Sequence, residues 1–591
     1  MDHSTSLVHS SIGVLLTTVM LVGCAREAAD EIDEPTSAVA DLALTGGAIY
    51  TMDGARSWAQ SIAIDDGRIA YVGTDAGAKE HIGPETKVID LKGRMVVPGF
   101  QDVHIHPISG GLEANACDLN GLDTIDKYLA KIKVCADAHP DEPWITGGGW
   151  WVSAFGPGAL AGKELLDAIV PDRPVFLESV DGHSSWVNSK ALELAGITNE
   201  TPDPPNGRID RDPKTGEAIG SLQEDADLLV RAKIPPETDA KREAGLRYAI
   251  KMLNALGITG IQDANVGLTG IKDANRVENE LKAYRKLDDA GELSLRVVAA
   301  LWWEPLEGLE QIENLKRLRR EYSGGRIDAG SVKIMQDGAL ENYAGVVLDA
   351  YRLKGKSDER GMPMVEPEFL KKAVTQLDAD GFQVHFHAVG DGAVRQALDA
   401  VEAARTTNGD LGNRHHVSHL QLIHPDDQPR FRKLGVIANF QPLWANPDDS
   451  ITELTLPFIS RQAASYLYPI GSMVRSGAVV AFGSDWSVSS ANPFWQMETA
   501  IRRIWALSDA TTPWMPAERI GLAEALAAFT INAAYTNRDE VNSGSLEVGK
   551  RADLAVLDRN LFEIPVSELS DTKVLVTLFE GKPVHGDLGA L

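Results

Sequence analysis

Short apolar runs recur between residues 96 and 484, each separated from the next by a stretch with helical spacing. Eight of them read as strands. They are Val96 to His104, Gly257 to Asp263, Leu295 to Leu301, Ser331 to Gln336, Phe382 to His387, His415 to Leu420, Val436 to Phe440 and Val479 to Ser484. The longer stretches between them, among them Ala240 to Leu256, Glu278 to Ala290, Leu309 to Tyr322 and Glu368 to Ala379, read as helices. Strands alternating with helices are the pattern of a parallel α/β fold, and eight such units predict a (β/α)8 (TIM) barrel over residues 96–539.

The flanks have another texture. Between Asp41 and Met95, Ala43-Leu44-Thr45 leads into Gly46-Gly47, Ile62-Ala63-Ile64 into Asp65-Asp66-Gly67, and Ile69 to Val72 into Gly73. Gly549 to Asp558 and Val574 to Leu578 repeat that texture at the other end. Strands punctuated by Gly and Asp at both ends predict one satellite sheet domain built from residues 41–95 and 540–591. Residues 107–240 are then an insertion after the first barrel strand, with its own strands at Trp144-Ile145-Thr146 and Val175-Phe176-Leu177 and a helix at Ile125 to Ala138. Barrel active sites form from the loops at the C-terminal strand ends, so this insertion is expected to cover the site and choose the substrate.

Ile12 to Val22 is apolar but too short to span a bilayer, and it ends at Leu21-Val22-Gly23-Cys24. That tetrad resembles a bacterial lipoprotein signal, although no Lys or Arg precedes Ile12; a buried apolar segment is the alternative. The resemblance implies cleavage after residue 23, lipidation of Cys24, a flexible acidic tether over residues 25–40 and a periplasm-facing lipoprotein of the cell envelope, held at the outer membrane by its lipid alone. Two cysteines remain, Cys117 and Cys135. In an oxidising compartment the expectation is a disulfide between them, with separate thiols as the alternative. Hydrophobic content of 43% and charged content of 24% are those of an ordinary globular chain. A net charge of -28 repels nucleic acid and excludes it as a partner. The chain leaves a homodimer open.

The candidate chemistry sits at the ends of the barrel runs. His104, His106, Lys333, His387, His419 and Asp485 follow strands one, four, five, six and eight, and together predict a two-metal hydrolytic site at the barrel mouth. His104 and His106 alternate on one strand and face the same side. A lysine inside a barrel strand is costly to bury unless neutralised or paired. Spacing alone does not choose between His385 and His387, and alternation puts His415 on the same face as His419, with His416 a further rival.

Val97-Pro98-Gly99-Phe100-Gln101-Asp102-Val103-His104-Ile105-His106 resembles the opening motif of the amidohydrolase superfamily. Asp181-Gly182-His183-Ser184-Ser185-Trp186, His387-Ala388-Val389-Gly390-Asp391, His424-Pro425-Asp426-Asp427 and Gly483-Ser484-Asp485-Trp486 resemble one subgroup, amidohydrolase family 3, which includes N-substituted formamide deformylases. The resemblance runs from about Asp41 to the C-terminus. It implies a (β/α)8 barrel with a composite β-sandwich from both termini, one metal on His104, His106 and Asp485, a second on His387 and His419, and a carboxylated Lys333 bridging them. Ser418 stands where the subgroup often has Glu, and the segment Asp337 to Tyr343 matches only one branch.

On that footing the expected activity is hydrolysis of a small-molecule amide or formamide by metal-activated hydroxide, with Zn²⁺ favoured and Mn²⁺, Ni²⁺ or Co²⁺ also suited to the donors. Asp485 is expected to move the proton, and His183 to stabilise the oxyanion or hold the substrate. Trp150 and Trp151 are expected to line the pocket, with core packing as the alternative. The competing readings are a single-metal deaminase or lactonase of the same superfamily, and an envelope lipoprotein that binds a ligand without catalysis.

Overall fold

The computed structural model describes residues 39–156, 160–267 and 276–591. The expected leader, Cys24 and nearly all of the expected tether lie outside them. Phe100–Ile105, Ile258–Val266, Arg296–Trp302, Ile327–Met335, Gln383–Ala388, His416–His419, Ile437–Phe440 and Val480–Phe482 form one eight-stranded sheet in chain order. Every laddered pair in it is parallel. Helices such as Asp239–Ala255, Gln311–Tyr322, Pro367–Ala379 and Asp391–Asn408 follow the strands and bury their apolar faces on the sheet. This is the TIM barrel.

The seam between the first and eighth strands is closed by the segment that follows the eighth. Asp102 Oδ1 accepts from the Ser484 amide at 3.0 Å, the Asp485 amide donates to His104 O at 2.7 Å, and the His106 amide donates to Trp486 O at 2.9 Å. The same segments carry three of the candidate ligands, so closing the barrel and assembling the site are one event. The barrel interior is polar: Gln262 Nε2 of the second strand donates to Gln383 Oε1 of the fifth at 2.7 Å, a bond that must cross the inside of the barrel.

One expected strand is in fact two. The run from Val96 to His104 divides at Gly99: Met95–Pro98 joins the satellite domain and Phe100–Ile105 the barrel. A Cβ on Gly99 would lie 2.2 Å from Thr259 Oγ1, and the Gly99 amide is bound to Asp553 O, so the chain turns there from one sheet into the next. Apolar content is continuous across the break, which hides it from pattern reading.

The satellite domain has a four-stranded sheet from residues 42–90 and a six-stranded sheet that pairs Ala48–Tyr50 and Met95–Pro98 with Leu554–Leu557 and Val574–Phe579. Leu44, Ile62, Val96, Leu554, Val556 and Val576 share one core between the two sheets, which makes a sandwich of both chain ends. The insertion has its own six-stranded sheet, from Cys117 to Glu224. The helix Pro107–Ala114 packs instead on barrel helix Asp239–Ala255, where a Cβ on Gly111 would lie 2.0 Å from Gly245 O. Cys117 and Cys135 are bonded, tying the first insertion strand to the helix Ile125–Ala138.

Two predictions follow from these contacts. The Cys117–Cys135 bridge closes a separation of 18 residues, so Cys117→Ser should cost about 3 kcal/mol of stability, read as a lower melting temperature. Asp378 is the second case: burial alone would raise its pKa, but His415 at 2.9 Å, Asn408 and Asn413 outweigh burial and hold it below the ordinary range. A depressed carboxylate stabilises the fold above its unfolded pKa of about 4 and loses that contribution as pH falls further. Asp378→Asn should therefore lower the melting temperature at neutral pH and flatten its decline below about pH 4.

Candidate metal centre

The barrel mouth gathers the six expected residues. His104 Nε2 lies 3.3 Å and His106 Nε2 2.7 Å from Asp485 Oδ1, and the donor atoms of these three residues all lie within 4.8 Å of one another. Lys333 Nζ is 3.4 Å from His104 Nε2. His419 Nδ1 is 3.8 Å from Asp485 Oδ2, and the His419 ring stands 4.6 Å from that of His104 and 4.3 Å from that of His387. All but His106 are buried, and His106 is only partly open.

Backbone conformation explains how the ligands reach one point. His385 and His387 alternate on the fifth strand and face inward at different depths: His385 meets His104 from below, and His387 sits at the rim beside His419. Alternation fails on the sixth strand. His415 points outward to Asp378, whereas His419 is turned into the mouth by left-handed φ angles of 77° at His419 and 51° at Leu420. Asp485 is also left-handed, with φ 57°. Such conformations cost about 1–3 kcal/mol each for residues other than glycine and gather at functional sites. His416 faces inward, with its ring 3.9 Å from that of His385.

The donors fit a divalent ion. Both ring nitrogens of His419 are buried with no hydrogen-bond partner. Buried polar atoms are rarely left so, because each costs about 1–3 kcal/mol. Burial holds the His104 pKa down at about 3, with Lys333 adding to the effect, so this imidazole is neutral and has a lone pair to give. Burial would raise Asp485, but His104 and His106 outweigh it and keep the carboxylate ionised. Neutral imidazoles and a carboxylate are the donors that zinc and its neighbours accept.

A cavity of about 750 Å³ opens above these residues, between the insertion and the barrel mouth. That volume suits a small organic molecule. Trp151 lines it, together with Trp302, Trp444 and Trp486. Trp150 does not. It is fully buried in the insertion core against Phe155 and Trp186 and donates to Leu177 O, so its expected place at the substrate is corrected to a packing role. Neighbours on a strand face opposite ways, and of this pair only Trp151 could reach the cavity.

His183 does line the cavity, its ring 5.3 Å from that of His387. Its Nδ1 is bound at 2.9 Å to Glu224 Oε2, and Glu224 also accepts from Asn342 Nδ2 at 2.7 Å. Burial would lower the His183 pKa, but Glu224, with Asp181 and Glu341, holds it up at about 9. Glu224, itself left-handed at φ 50°, was not legible beforehand because it lies 41 residues from His183 in sequence. Asp337 was missed as well: it accepts amides from Val346, Val389 and Gly390 and braces the turn beside His387 at 3.3 Å.

The amidohydrolase family model (Amidohydro_3) matches residues 87–585. The chain belongs to this family. The Arabidopsis thaliana protein LONG AFTER FAR-RED 3 is 33% identical over 553 residues, covering 93% of this chain and 92% of its own. The N-substituted formamide deformylase of Arthrobacter pascens is 28% identical over 557 residues, covering 92% and 97%. Among solved structures, an uncharacterized metal-dependent hydrolase from Pyrococcus furiosus aligns at 25% identity with a TM-score of 0.65, covering 88% of this chain and 99% of that one. This amidohydrolase is a metal-dependent hydrolase, with His104, His106 and Asp485 as a candidate divalent-metal site.

Purified protein should accordingly contain at least one divalent ion per chain by atomic absorption. His106→Ala should reduce that content severalfold, while a conservative change at the distant Asp378 should leave it unaltered.

Proposed function

We propose that this amidohydrolase cleaves a carbon–nitrogen bond of a non-peptide amide or formamide. The observation that carries the reading is the meeting of four histidines, one aspartate and one buried lysine beneath a cavity of substrate size. Two ions are proposed, one on His104, His106 and Asp485 and one on His387 and His419, with Lys333 between them. Burial pushes the Lys333 pKa down to about 7, which leaves much of it as the free amine at neutral pH. A free amine adds carbon dioxide at Nζ and loses a proton, becoming an anionic carbamate, and that change removes the cost of an interior cation.

A divalent ion bound here would lower the pKa of water and polarise a carbonyl. The protein's own part is positioning and proton transfer. Asp485 Oδ1 faces the His104 and His106 nitrogens, so Oδ2 is the oxygen that takes a proton from the attacking water and returns it to the leaving nitrogen. His183, kept protonated on Nδ1 by Glu224, turns its other nitrogen to the cavity and donates to the oxygen that gains charge. The wall of Trp151, Trp302, Trp444 and Trp486 excludes water from the apolar part of the substrate.

The similarity to a formamide deformylase supports a formyl or short acyl group on nitrogen. The test is a panel of N-formyl and N-acyl amines alongside lactones and ring amidines, assayed for free amine, acid and ammonia. Amine release is expected. Asp485→Asn should lower kcat by a factor of about 100 to 10,000 while the metal content stays close to wild type. Ammonia release from a ring amidine with one ion per chain would favour a deaminase instead, and wild-type turnover in Asp485→Asn would remove the proton-transfer role.

A further inference from the structure

Beneath the centre a hydrogen-bonded chain runs from Asn439 through Ser418 and His385 to His104. Asn439, on the seventh barrel strand, places Nδ2 3.1 Å from Val103 O, 3.0 Å from Ser418 Oγ and 3.4 Å from His416 Nδ1. A carbonyl accepts only, so the atom facing Val103 must be the NH₂ group and the amide orientation is settled. Gln441 Nε2, 3.4 Å from Asn439 Oδ1, agrees. The second amide hydrogen then goes to Ser418 Oγ, with His416 Nδ1 taking a weaker share.

Ser418 Oγ has thus accepted and has its own hydrogen to place. Its remaining neighbour is His385 Nε2 at 2.8 Å, so Ser418 donates there, and the His385 proton then sits on Nδ1, which is buried without a partner. His104 Nδ1 lies 2.8 Å from that same nitrogen and so has to donate to it. A neutral His104 with its proton on Nδ1 has its lone pair on Nε2. That nitrogen is the one 3.4 Å from Lys333 Nζ and 3.3 Å from Asp485 Oδ1.

We infer that His385, directed by Asn439 and Ser418, is a positioning residue that locks His104 in the tautomer able to bind a divalent ion through Nε2. The reverse polarity would put a proton on His104 Nε2 and close that position to a cation. A partner on the far nitrogen of a ligating imidazole sets its orientation and basicity, and its loss costs about 10- to 100-fold in metal affinity. Ser418 belongs to the same device. At 2.8 Å from His385 there is no room for a longer side chain, so a glutamate at 418 would overlap the imidazole. None of these three residues lines the cavity.

The inference rests on the reading that His104 helps hold a metal ion, and the experiment separates the two. Zinc affinity is measured by competition with a chromophoric chelator, and the visible spectrum is recorded with Co²⁺ in place of zinc. His385→Phe keeps the ring contact with His416 but removes the acceptor; it should weaken zinc about 10- to 100-fold and alter the Co²⁺ bands. His385→Gln restores an acceptor oxygen and should recover most of the affinity. Ser418→Ala frees His385 to donate instead, should weaken zinc severalfold, and keeps the test open if the Phe variant does not fold. Unchanged zinc affinity in folded His385→Phe and in Ser418→Ala would overturn the inference, as would a Gln variant no better than Phe. A wild-type protein that binds no zinc or cobalt would overturn the metal reading beneath it.

Discussion

Burying nitrogen and oxygen donors without water is costly unless something satisfies them, and that constraint organises the mouth of this barrel. Five imidazole and carboxylate side chains and one lysine are packed within a few ångströms there, yet His419 finds no hydrogen-bond partner for either ring nitrogen. Burial keeps His104, His385, His387 and His419 neutral, so they do not repel one another as cations. A cluster of lone pairs around one carboxylate is stable only with a positive charge among them. A divalent ion supplies it, and membership of a metal-dependent hydrolase family agrees with that physical demand.

The scaffold serves the cluster at several levels. Hydrogen bonds from Ser484, Asp485 and His106 close the seam between the first and last strands, so the ligands cannot separate without opening the barrel. Left-handed residues at His419, Leu420 and Asp485 aim side chains that regular strand geometry would send elsewhere. Beneath them, Asn439, Ser418 and His385 settle a proton position. Above them, the insertion contributes Trp151 and the His183–Glu224 pair, roofing the centre and giving the substrate its surroundings.

Much of this was legible in the chain. The eight barrel runs could be read because parallel strands under helices are apolar and are spaced by helical segments, and the sandwich because its strands are marked by Gly and Asp turns. His104, His106, Lys333 and Asp485 stood out because a polar group closing or interrupting an apolar strand is costly without a purpose. What escaped notice depends on contacts distant in sequence or on single dihedral angles. Alternation grouped His415 with His419, and only the left-handed backbone at His419 separates them. Trp150 and Trp151 are adjacent and chemically alike, so only the packing around Phe155 and Trp186 says which one faces inward. Glu224 acts on a partner 41 residues away and no local pattern announces it, while His385 was legible only as a rival of His387 because its partner His104 lies 281 residues away.

The most direct measurement is anomalous X-ray diffraction from crystals grown with zinc, collected on both sides of the zinc absorption edge. The account predicts a peak about 2.0–2.2 Å from His104 Nε2, His106 Nε2 and an Asp485 oxygen, with a second beside His387 and His419. A zinc-replete crystal with no anomalous peak among these residues, or with zinc bound only elsewhere, would contradict it.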